Sequence, residues 1–147
     1  MNSFNSNYSA VQRTDFVTAS SSEERSSDSQ RSCSDFIKIR KAVENVISVL
    51  GYGHTEKTYQ SALVIELRKH FEKVRQEQNY EILYENHIVG VVHIEIEIES
   101  RIIIKIRCFD DFKKKDVLHV QRYKKVTGID KGFLININFE KHEVKEV

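Results

Sequence analysis

The chain has 147 residues, of which 39% are hydrophobic, and this is enough to close one core. Its net charge is +1, and the part beyond residue 35 is mildly basic, with 20 basic against 17 acidic side chains. Cys33 and Cys108 lack the spacing of a zinc site, and neither an apolar run of 18 residues nor a signal-like N-terminus occurs. These features favour a single domain and support neither a membrane span nor secretion, and we expect a soluble intracellular protein.

Residues 1–35 differ in composition from the rest of the chain. They contain eleven serines, with Asn, Gln and charged residues between them and only scattered apolar side chains. Such a segment buries too little apolar surface to offset the entropy of ordering it. We therefore predict a disordered tail over residues 1–35 and one folded domain over residues 36–147.

Two helices are predicted at the start of this domain. Apolar residues recur at helical spacing over residues 36–50, with Ser34 or Asp35 as a candidate N-cap. Two glycines within residues 51–53 then break the helix. A second helix is expected over residues 55–70, with Leu63 and other apolar residues along its buried stripe.

A β-hairpin is predicted over residues 91–108, after an extended segment near residues 80–84. Apolar and polar side chains alternate along both of its strands, which places them on opposite faces. In the first strand, the four even-numbered residues from Val92 to Ile98 form the apolar side. Glu95 belongs to the other side.

The turn of this hairpin decides which side chains face each other. A three-residue turn at residues 99–101 places the apolar side chains of the two strands on the same face of the hairpin. A slip of one residue would set apolar side chains against charged ones. This register places Glu95 across from Lys105. It also pairs Glu97 with Ile103 and His93 with Arg107. Opposite charges at facing positions stabilise an exposed pair by roughly 0.2–1 kcal/mol.

A third helix is predicted over residues 112–127, with Val117, Leu118 and Gln121 toward the sheet. Gly128 ends it. Strands over residues 132–139 and 143–147 complete the domain. The order of elements predicts an α/β or α+β fold with a mixed central sheet flanked by helices.

A short motif lies at the start of the second predicted helix. Residues 53–59 read Gly-His-Thr-Glu-Lys-Thr-Tyr, which is the pattern GxxExxY, and Ala-Leu and Glu-Leu-Arg follow at residues 62–63 and 66–68. Gly90, Gln121 and residues 132–139 extend the match in the same order. The chain thus resembles the GxxExxY family, whose fold is similar to the PD-(D/E)XK nuclease core. The resemblance covers about residues 36–147 and implies a restriction-endonuclease-like core.

The resemblance also implies positions for a catalytic site. In that superfamily an acidic residue on the first long helix acts with an Asp on the second strand, a Glu-x-Lys on the third and often a Gln on the following helix. The two strand carboxylates hold Mg²⁺, and the lysine orients or activates water. Carried over position by position, the helix acid is Glu56 or Glu66, and the remaining positions are Glu95, Lys105, Arg107 and Gln121.

The third strand departs from this pattern where the chemistry is expected. Lys105 stands at the second carboxylate position, so the local charge changes by two units toward repelling a cation that prefers oxygen ligands. An ammonium beside Glu95 neutralises it instead. Arg107 stands at the lysine position, and its guanidinium stays protonated. We therefore predict no metal site and no cofactor.

Three functions are compatible with these residues. The preferred hypothesis is a catalytically degenerate nuclease-fold protein that binds nucleic acid or a protein partner without cleaving. The first alternative is an active Mg²⁺-dependent nuclease whose carboxylate ligands have moved, with Glu97 among them. The second is a structural or interaction domain with no nucleic-acid role, whose charged sheet face is only solvated.

Basic residues accumulate toward the third helix. Nine basic side chains stand against four acidic ones between Lys105 and Lys131, an excess that suits a phosphate backbone, and Tyr123 could stack on a base. DNA or RNA and a protein are both candidate partners, and a membrane is not expected. The proline-free composition, rich in Ile, Lys and Asn, suits a large DNA virus with an AT-rich genome. The candidate nucleic-acid-binding residues are Lys113, Lys114, Lys115, Arg122, Lys124 and Lys125.

Overall fold

The chain folds as a five-stranded sheet with helices on both of its faces. A computed structural model describes residues 24–147. Its elements are α1 (Glu24–Leu50), α2 (Glu56–Leu67), β1 (Val74–Tyr84), β2 (His87–Ile98), β3 (Ile102–Arg107), α3 (Lys114–Thr127), β4 (Lys131–Ile137) and β5 (His142–Glu146). The strands lie in chain order, and neighbours are antiparallel except β3 and β4, which are parallel and joined by α3. The predicted mixed sheet flanked by helices is confirmed.

Two apolar clusters lie on opposite faces of the sheet. In β3, Ile104 belongs to the larger cluster and its neighbour Ile103 to the smaller one, as expected for side chains that alternate across a strand. The larger cluster joins α1 and α2 to the sheet. The smaller one lies beneath α3 and includes Tyr123. Since each fully buried Ile or Leu contributes about 1.5–3 kcal/mol, the larger cluster holds α1 and α2 in place.

The β2–β3 hairpin has the predicted register next to its turn, whereas the predicted pair of His93 and Arg107 lies outside the ladder. Glu97 pairs with Ile103, and Ile98 pairs with Ile102 around a turn at residues 99–101. Both Glu99 and Ser100 in this turn have positive φ, near 50°, as the two central residues of a type I′ turn do, and the N–H of Arg101 donates to the backbone oxygen of Ile98. The alternation of apolar residues was therefore sufficient to fix this pairing.

One strand of the hairpin changes face, and here the prediction of a single apolar side is wrong. Ile96 packs in the larger cluster, whereas Ile94, two residues earlier, packs in the smaller one. Residues two apart on a regular strand share a face, so β2 is distorted at Glu95. At the same level of β1, Glu77 has a φ of 56° and is absent from the pairing with β2. The distortion therefore affects both strands around Glu95.

Helix α1 begins at Glu24, well before the predicted N-cap at residue 34 or 35. Asp35 is instead buried inside the helix, where its carboxylate accepts hydrogen bonds from Arg101 and from Lys131, at 3.1 Å in each case. These ion pairs fix α1 to the sheet, and extending an existing helix avoids the cost of nucleation. Residues 24–35, assigned to the tail from composition, therefore belong to α1, and residues 1–23 lie outside the described part.

The Asp35 cluster leads us to expect that part of the stability is lost in acid. Burial by itself would raise the pKa of Asp35, but the hydrogen bonds and charges of Arg101 and Lys131 outweigh it and lower the pKa below its usual 3.8. Such a carboxylate stabilises the fold above its unfolded-state pKa, and the contribution disappears as the pH falls through the folded-state value. Asp35→Asn is therefore expected to destabilise the protein at pH 7 and to flatten the loss of stability below about pH 4.

Urea denaturation at a series of pH values measures this effect. Asp111→Asn is the matched control, because Asp111 is 82% exposed and its ion pair with Lys141, at 3.3 Å, lies at the surface. The control should keep the pH dependence of the wild type. An Asp35→Asn variant that still loses stability in acid as steeply as the wild type would contradict the role assigned to Asp35.

Helix α3 faces the sheet with different residues from those predicted. Asp116, Val120 and Tyr123 are its buried residues, whereas Leu118 and Gln121 are exposed. The predicted orientation toward the sheet is therefore wrong for Leu118 and Gln121. Buried polar partners on β3, described below, attract Asp116 and Tyr123, and a hydrophobicity pattern cannot show such pairing.

Gly132 allows β4 to approach α3 closely. A Cβ atom at this position would lie 2.5 Å from Cγ1 of Val120, a buried and stiff β-branched side chain. Gly132→Ala is therefore expected to lower the free energy of unfolding by about 1–3 kcal/mol, the usual cost of overpacking. Gly90→Ala is the control, since the nearest atom to its Cβ would be the terminal Cδ1 of Ile82 at 3.3 Å, with the other Ile82 contacts at 3.9 Å. Equal losses in the two variants, measured by urea denaturation, would contradict the close approach.

The remaining elements agree with the predictions apart from their ends. Strand β1 begins at Val74 rather than near residue 80, and helix α2 ends at Leu67. Thr55 caps α2, because its side-chain oxygen accepts a hydrogen bond from the backbone N–H of Thr58. Among the helices of residues 24–147, none combines the length and apolarity needed to cross a bilayer.

Candidate functional site

An ion pair between Glu95 and Lys105 lies where β2 and β3 separate. The Nζ of Lys105 is 2.8 Å from Oε1 of Glu95, as the hairpin register predicted. Lys105 is only 5% exposed, and the side chain of Glu95 is 21% exposed. The other carboxylate oxygen, Oε2, accepts a hydrogen bond from the backbone N–H of Ile106 at 2.6 Å. Both oxygens of Glu95 are thus occupied by donors from β3.

Two side chains of α3 complete the surroundings of Lys105. Its ammonium lies 3.5 Å from the hydroxyl oxygen of Tyr123 and 5.4 Å from the centre of the Tyr123 ring. The His119 ring stacks on Tyr123 with centroids 6.5 Å apart. Burial and the nearby cations, Lys105 first among them, lower the pKa of His119 and favour its neutral form. Tyr123 is buried, so the prediction that it stacks on a base is wrong.

Arg107 is held by two carboxylates rather than left free. Its Nε donates to Oδ1 of Asp116 at 2.9 Å, and its Nη1 lies 3.8 Å from Oε1 of Glu56. Asp116 is 1% exposed, and its second oxygen accepts from the backbone N–H of Lys113 at the start of α3. The guanidinium therefore ties the start of α3 to the end of β3. The predicted positions Glu56, Glu95, Lys105 and Arg107 lie together at this end of the strand.

The start of α2 is connected to the distorted part of the sheet by Gln60. Its amide nitrogen donates to Oε1 of Glu77 at 2.7 Å and to the backbone oxygen of Glu95 at 3.0 Å. Lys57 pairs with the same Glu77 oxygen at 2.6 Å. Together these bonds hold the unusual backbone of Glu77 next to Glu95.

Cys108 is not a candidate nucleophile. Burial, together with the carboxylates of Glu56 and Glu95, raises the pKa of its thiol to about 11. The thiolate is the reactive form, so this cysteine stays protonated and inert near neutral pH. The backbone N–H of Cys108 donates to Oε1 of Glu56 at 3.3 Å, so this residue helps to position Glu56.

Comparisons with known proteins identify the fold family of this chain. A sequence model of the PD-(D/E)XK nuclease superfamily matches residues 35–147, and this is most of the chain. The chain belongs to the PD-(D/E)XK nuclease superfamily. No curated protein matches it. One similar solved structure is described as the crystal structure of SSO0001, with 20% sequence identity and a TM-score of 0.46, and the match covers 62% of this chain and 48% of that one.

Two residues that the resemblance assigned to the site, Glu66 and Gln121, do not take part in the cluster around Glu95. Glu66 pairs with Lys69 at 2.6 Å and accepts a weaker bond from Asn45, and these contacts lower its pKa. Gln121 is exposed on α3. Glu66 and Gln121 therefore contribute nothing visible to the cluster, although the resemblance placed them there.

Glu97, the ligand proposed for a displaced metal site, is buried away from Lys105. Its carboxylate accepts hydrogen bonds from the hydroxyls of Tyr80 and Ser100, and Arg75 lies 3.8 Å away. Burial and the carboxylate of Glu97 raise the pKa of Tyr80 to about 12, so the phenol stays protonated and donates. The carboxylate of Glu97 is therefore occupied by hydrogen bonds and an ion pair within the fold.

The residues present do not fit the Mg²⁺ that the superfamily implies. Magnesium requires several oxygen ligands in octahedral geometry. Glu95 gives its oxygens to Lys105 and Ile106, and Glu56 faces a guanidinium and a backbone N–H. Within the described chain, no group of three or more His, Cys, Asp or Glu side chains is placed to hold a metal. The cations of Lys105 and Arg107 occupy this part of the superfamily fold.

Sequence reasoning missed three contributors to this site. Asp116 carried a local signal, since it is the third residue of α3, and an acidic side chain at this position reaches back to the backbone N–H of the residue before the helix, Lys113. Gln60 follows Glu56 by one helical turn, and this places it on the same face of α2. Glu77 carried no readable signal, because its role depends on a positive φ that favours other residues.

Proposed function

We propose that this protein is a catalytically degenerate member of the PD-(D/E)XK superfamily that binds nucleic acid without cleaving it. The buried contact between the Lys105 ammonium and the Glu95 carboxylate carries this proposal. Two carboxylates at these positions would attract a divalent cation. Here a carboxylate and an ammonium neutralise each other instead. Binding then needs no metal cofactor, because basic side chains supply the positive charge that phosphate requires.

We also propose that the chain belongs to the GxxExxY group within the superfamily. Two residues of the motif have defined places in the structure. Tyr59 is fully buried, and its hydroxyl donates to the backbone oxygen of Gly51 at 2.9 Å while it accepts from the N–H of His54. Glu56 contacts the end of β3. The motif thus fixes the connection between α1 and α2 relative to the candidate site.

The start of α3 is the surface that best suits phosphate. Lys113, Lys114 and Lys115 are exposed there, and Lys113 lies over the ring of Phe109 at 5.2 Å. Lysines at a helix N-terminus oppose the helix dipole and cost stability, so their presence supports a role in binding anions. Arg122 is exposed farther along the helix.

Lys124 contributes to the fold rather than to this surface. Its ammonium donates to the backbone oxygen of Val147 at 2.8 Å, and its stem packs beside Gly132. We therefore propose that binding depends on the lysines at the start of α3 and on Arg122 more than on Lys124.

A binding titration with single- and double-stranded DNA over a range of salt concentrations tests the proposal, with and without Mg²⁺ or Mn²⁺. The variant Lys114→Glu with Lys115→Glu should weaken binding at least about tenfold and lower the salt dependence by about two phosphate contacts. The control Lys41→Glu with Lys73→Glu makes the same charge change at exposed positions outside α3.

Each alternative function gives a different result in this experiment. Metal-dependent cleavage that Glu95→Ala abolishes would establish the active nuclease instead. Absence of binding at low salt would favour the structural domain with no nucleic-acid role. Equal weakening by the test and control variants would mean that binding follows overall charge and not the start of α3.

A further inference from the structure

Two surface loops lie side by side where the parallel strands β3 and β4 end. Residues 108–113 follow β3 and residues 138–141 follow β4, and adjacent strands lie only about 4.8 Å apart. Phe109 in the first loop is 39% exposed, and Phe139 in the second loop is 79% exposed. The candidate site lies at this same end of β3, so both rings flank it.

A buried asparagine fixes the backbone of Phe109. Asn136 is 4% exposed, and its side-chain amide contacts both polar backbone groups of Phe109. The amide oxygen accepts the N–H of Phe109 at 3.1 Å, and the amide nitrogen donates to its backbone oxygen at 2.8 Å. A buried amide needs such partners, and here they come from a residue whose ring is exposed. The fold therefore holds Phe109 at a fixed place on the surface.

A second asparagine fixes the loop that carries Phe139. The side-chain oxygen of Asn138 accepts the backbone N–H groups of the two residues after Phe139, at 2.9 and 2.7 Å. Its amide nitrogen donates to the backbone oxygen of Asp110 at 3.1 Å, and this bond joins the two loops. A Cβ atom at Gly53 would lie 3.7 Å from the ring of Phe139. The ring thus lies beside the first residue of the motif that precedes α2.

Lysines lie next to the ring of Phe109. The ammonium of Lys113 is 5.2 Å from the ring centre, and the guanidinium of Arg107 is 5.6 Å from it. A carboxylate holds Arg107 in place, whereas Lys113 is exposed, so its ammonium can turn from the ring toward a phosphate. Lys114 and Lys115 follow at the start of α3. A ligand that stacks on Phe109 therefore brings its negative charge close to three lysines.

The two loops themselves do not attract phosphate. Asp110, Asp111 and Glu140 are exposed there, against the ammonium groups of Lys113 and Lys141, and Asp111 pairs with Lys141 at 3.3 Å. A duplex presents its phosphates outward and keeps its bases inside the stack. A single strand can instead place its phosphates on the α3 lysines and turn unstacked bases toward the rings. The charges around the rings therefore favour a single strand over a duplex.

We propose that Phe109 and Phe139 stack on the bases of a single-stranded nucleic acid whose phosphates contact the lysines at the start of α3. This inference rests on the proposed function and names the form of nucleic acid that the protein binds. Every base has a π-face, so stacking on a phenylalanine ring tolerates any sequence. Rings that the fold already holds in place lose little conformational entropy when a base covers them.

Anisotropy titrations of the full chain with three labelled DNA probes test this proposal. The probes are a single strand of about 12 nucleotides, the duplex of the same sequence, and a single strand of the same length built from abasic sites. The abasic strand keeps the phosphates and lacks the bases. The wild type should bind the ordinary single strand at least about tenfold more tightly than either of the other probes.

Alanine variants assign this preference to the two rings. Phe109→Ala and Phe139→Ala should each weaken single-strand binding at least about fivefold and leave duplex binding unchanged, whereas Phe139→Tyr keeps a π-face and should bind like the wild type. Ile37→Ala is the control, because Ile37 is 57% exposed near Asp35, whose partner Arg101 precedes β3 at its opposite end. Far-UV circular dichroism checks that the variants are folded.

The outcomes separate this inference from the proposed function. Equal affinity for the ordinary and abasic strands, or alanine variants that bind the single strand like the wild type, would overturn the stacking and leave nucleic-acid binding intact. Equal losses of single-strand and duplex binding in the alanine variants would also overturn it. A wild type that binds none of the probes at low salt would overturn the proposed function, and this inference with it.

Discussion

Replacing Lys105 with methionine is expected to lower the free energy of unfolding by about 2–4 kcal/mol. Methionine has a similar length but no charge, so the carboxylate of Glu95 would lose its cation in a largely buried place. Removing one member of a buried pair leaves an uncompensated charge, which costs more than removing both. Glu95 keeps its bond to Ile106 and some exposure to water, and these limit the loss.

The variant Lys105→Met with Glu95→Gln is the matched control for this prediction. The glutamine oxygen can still accept the N–H of Ile106, and no charge remains unpaired. The double variant should therefore be more stable than Lys105→Met alone by about 1–3 kcal/mol, a coupling typical of residues in contact. Urea denaturation at pH 7 measures these two variants and Glu95→Gln alone. If the losses of the two single variants simply add, the two side chains are not coupled and the ion pair has no energetic role.

Restoring the superfamily residues is expected to create affinity for a divalent cation. The variant Lys105→Glu with Arg107→Lys places a second carboxylate beside Glu95 and returns the lysine two residues later. Without metal, the two carboxylates repel each other and the variant should be less stable than the wild type. Mn²⁺ at about 100 times its dissociation constant should then stabilise the variant by about 2.7 kcal/mol.

Thermal unfolding with and without Mn²⁺ or Mg²⁺, together with calorimetric titration of the ions, tests this expectation. Lys105→Gln with Arg107→Lys is the control, because it removes the same cation without adding a carboxylate. It should bind metal no better than the wild type. A folded Lys105→Glu, Arg107→Lys variant without metal-dependent stabilisation would mean that Lys105 does not occupy the lost ligand position.

The two predictions separate the energetic role of the ion pair from its functional interpretation. The methionine variant tests whether the pair stabilises the fold, and the restored variant tests whether the pair stands in a former metal site. A wild type that itself gains stability with Mn²⁺ would support the active nuclease. In that case, weaker DNA binding by the variant Lys114→Glu with Lys115→Glu would still show that the start of α3 contacts nucleic acid.

The part of the site that could be predicted from sequence is the part that depends on strand register. The period of two in β2 and β3 fixes the hairpin, and the hairpin brings Glu95 to Lys105. The order of helices and strands follows from local periodicity as well, and so does the superfamily from its ordered motifs. Each of these predictions depends on residues that are close to one another in the sequence.

The tertiary structure alone decided where long-range polar partners lie. Asp35 belongs inside α1 because Arg101 and Lys131, distant in sequence, pair with it. Asp116 and Tyr123 turn toward the sheet because Arg107 and Lys105 are there. The β2–β3 ladder ends at Ile96, and the carboxylate of Glu95, rather than a backbone oxygen of β2, takes the N–H of Ile106. Periodicity determined the elements and their pairing, whereas the need to satisfy buried charges, which no local pattern encodes, determined their final orientation.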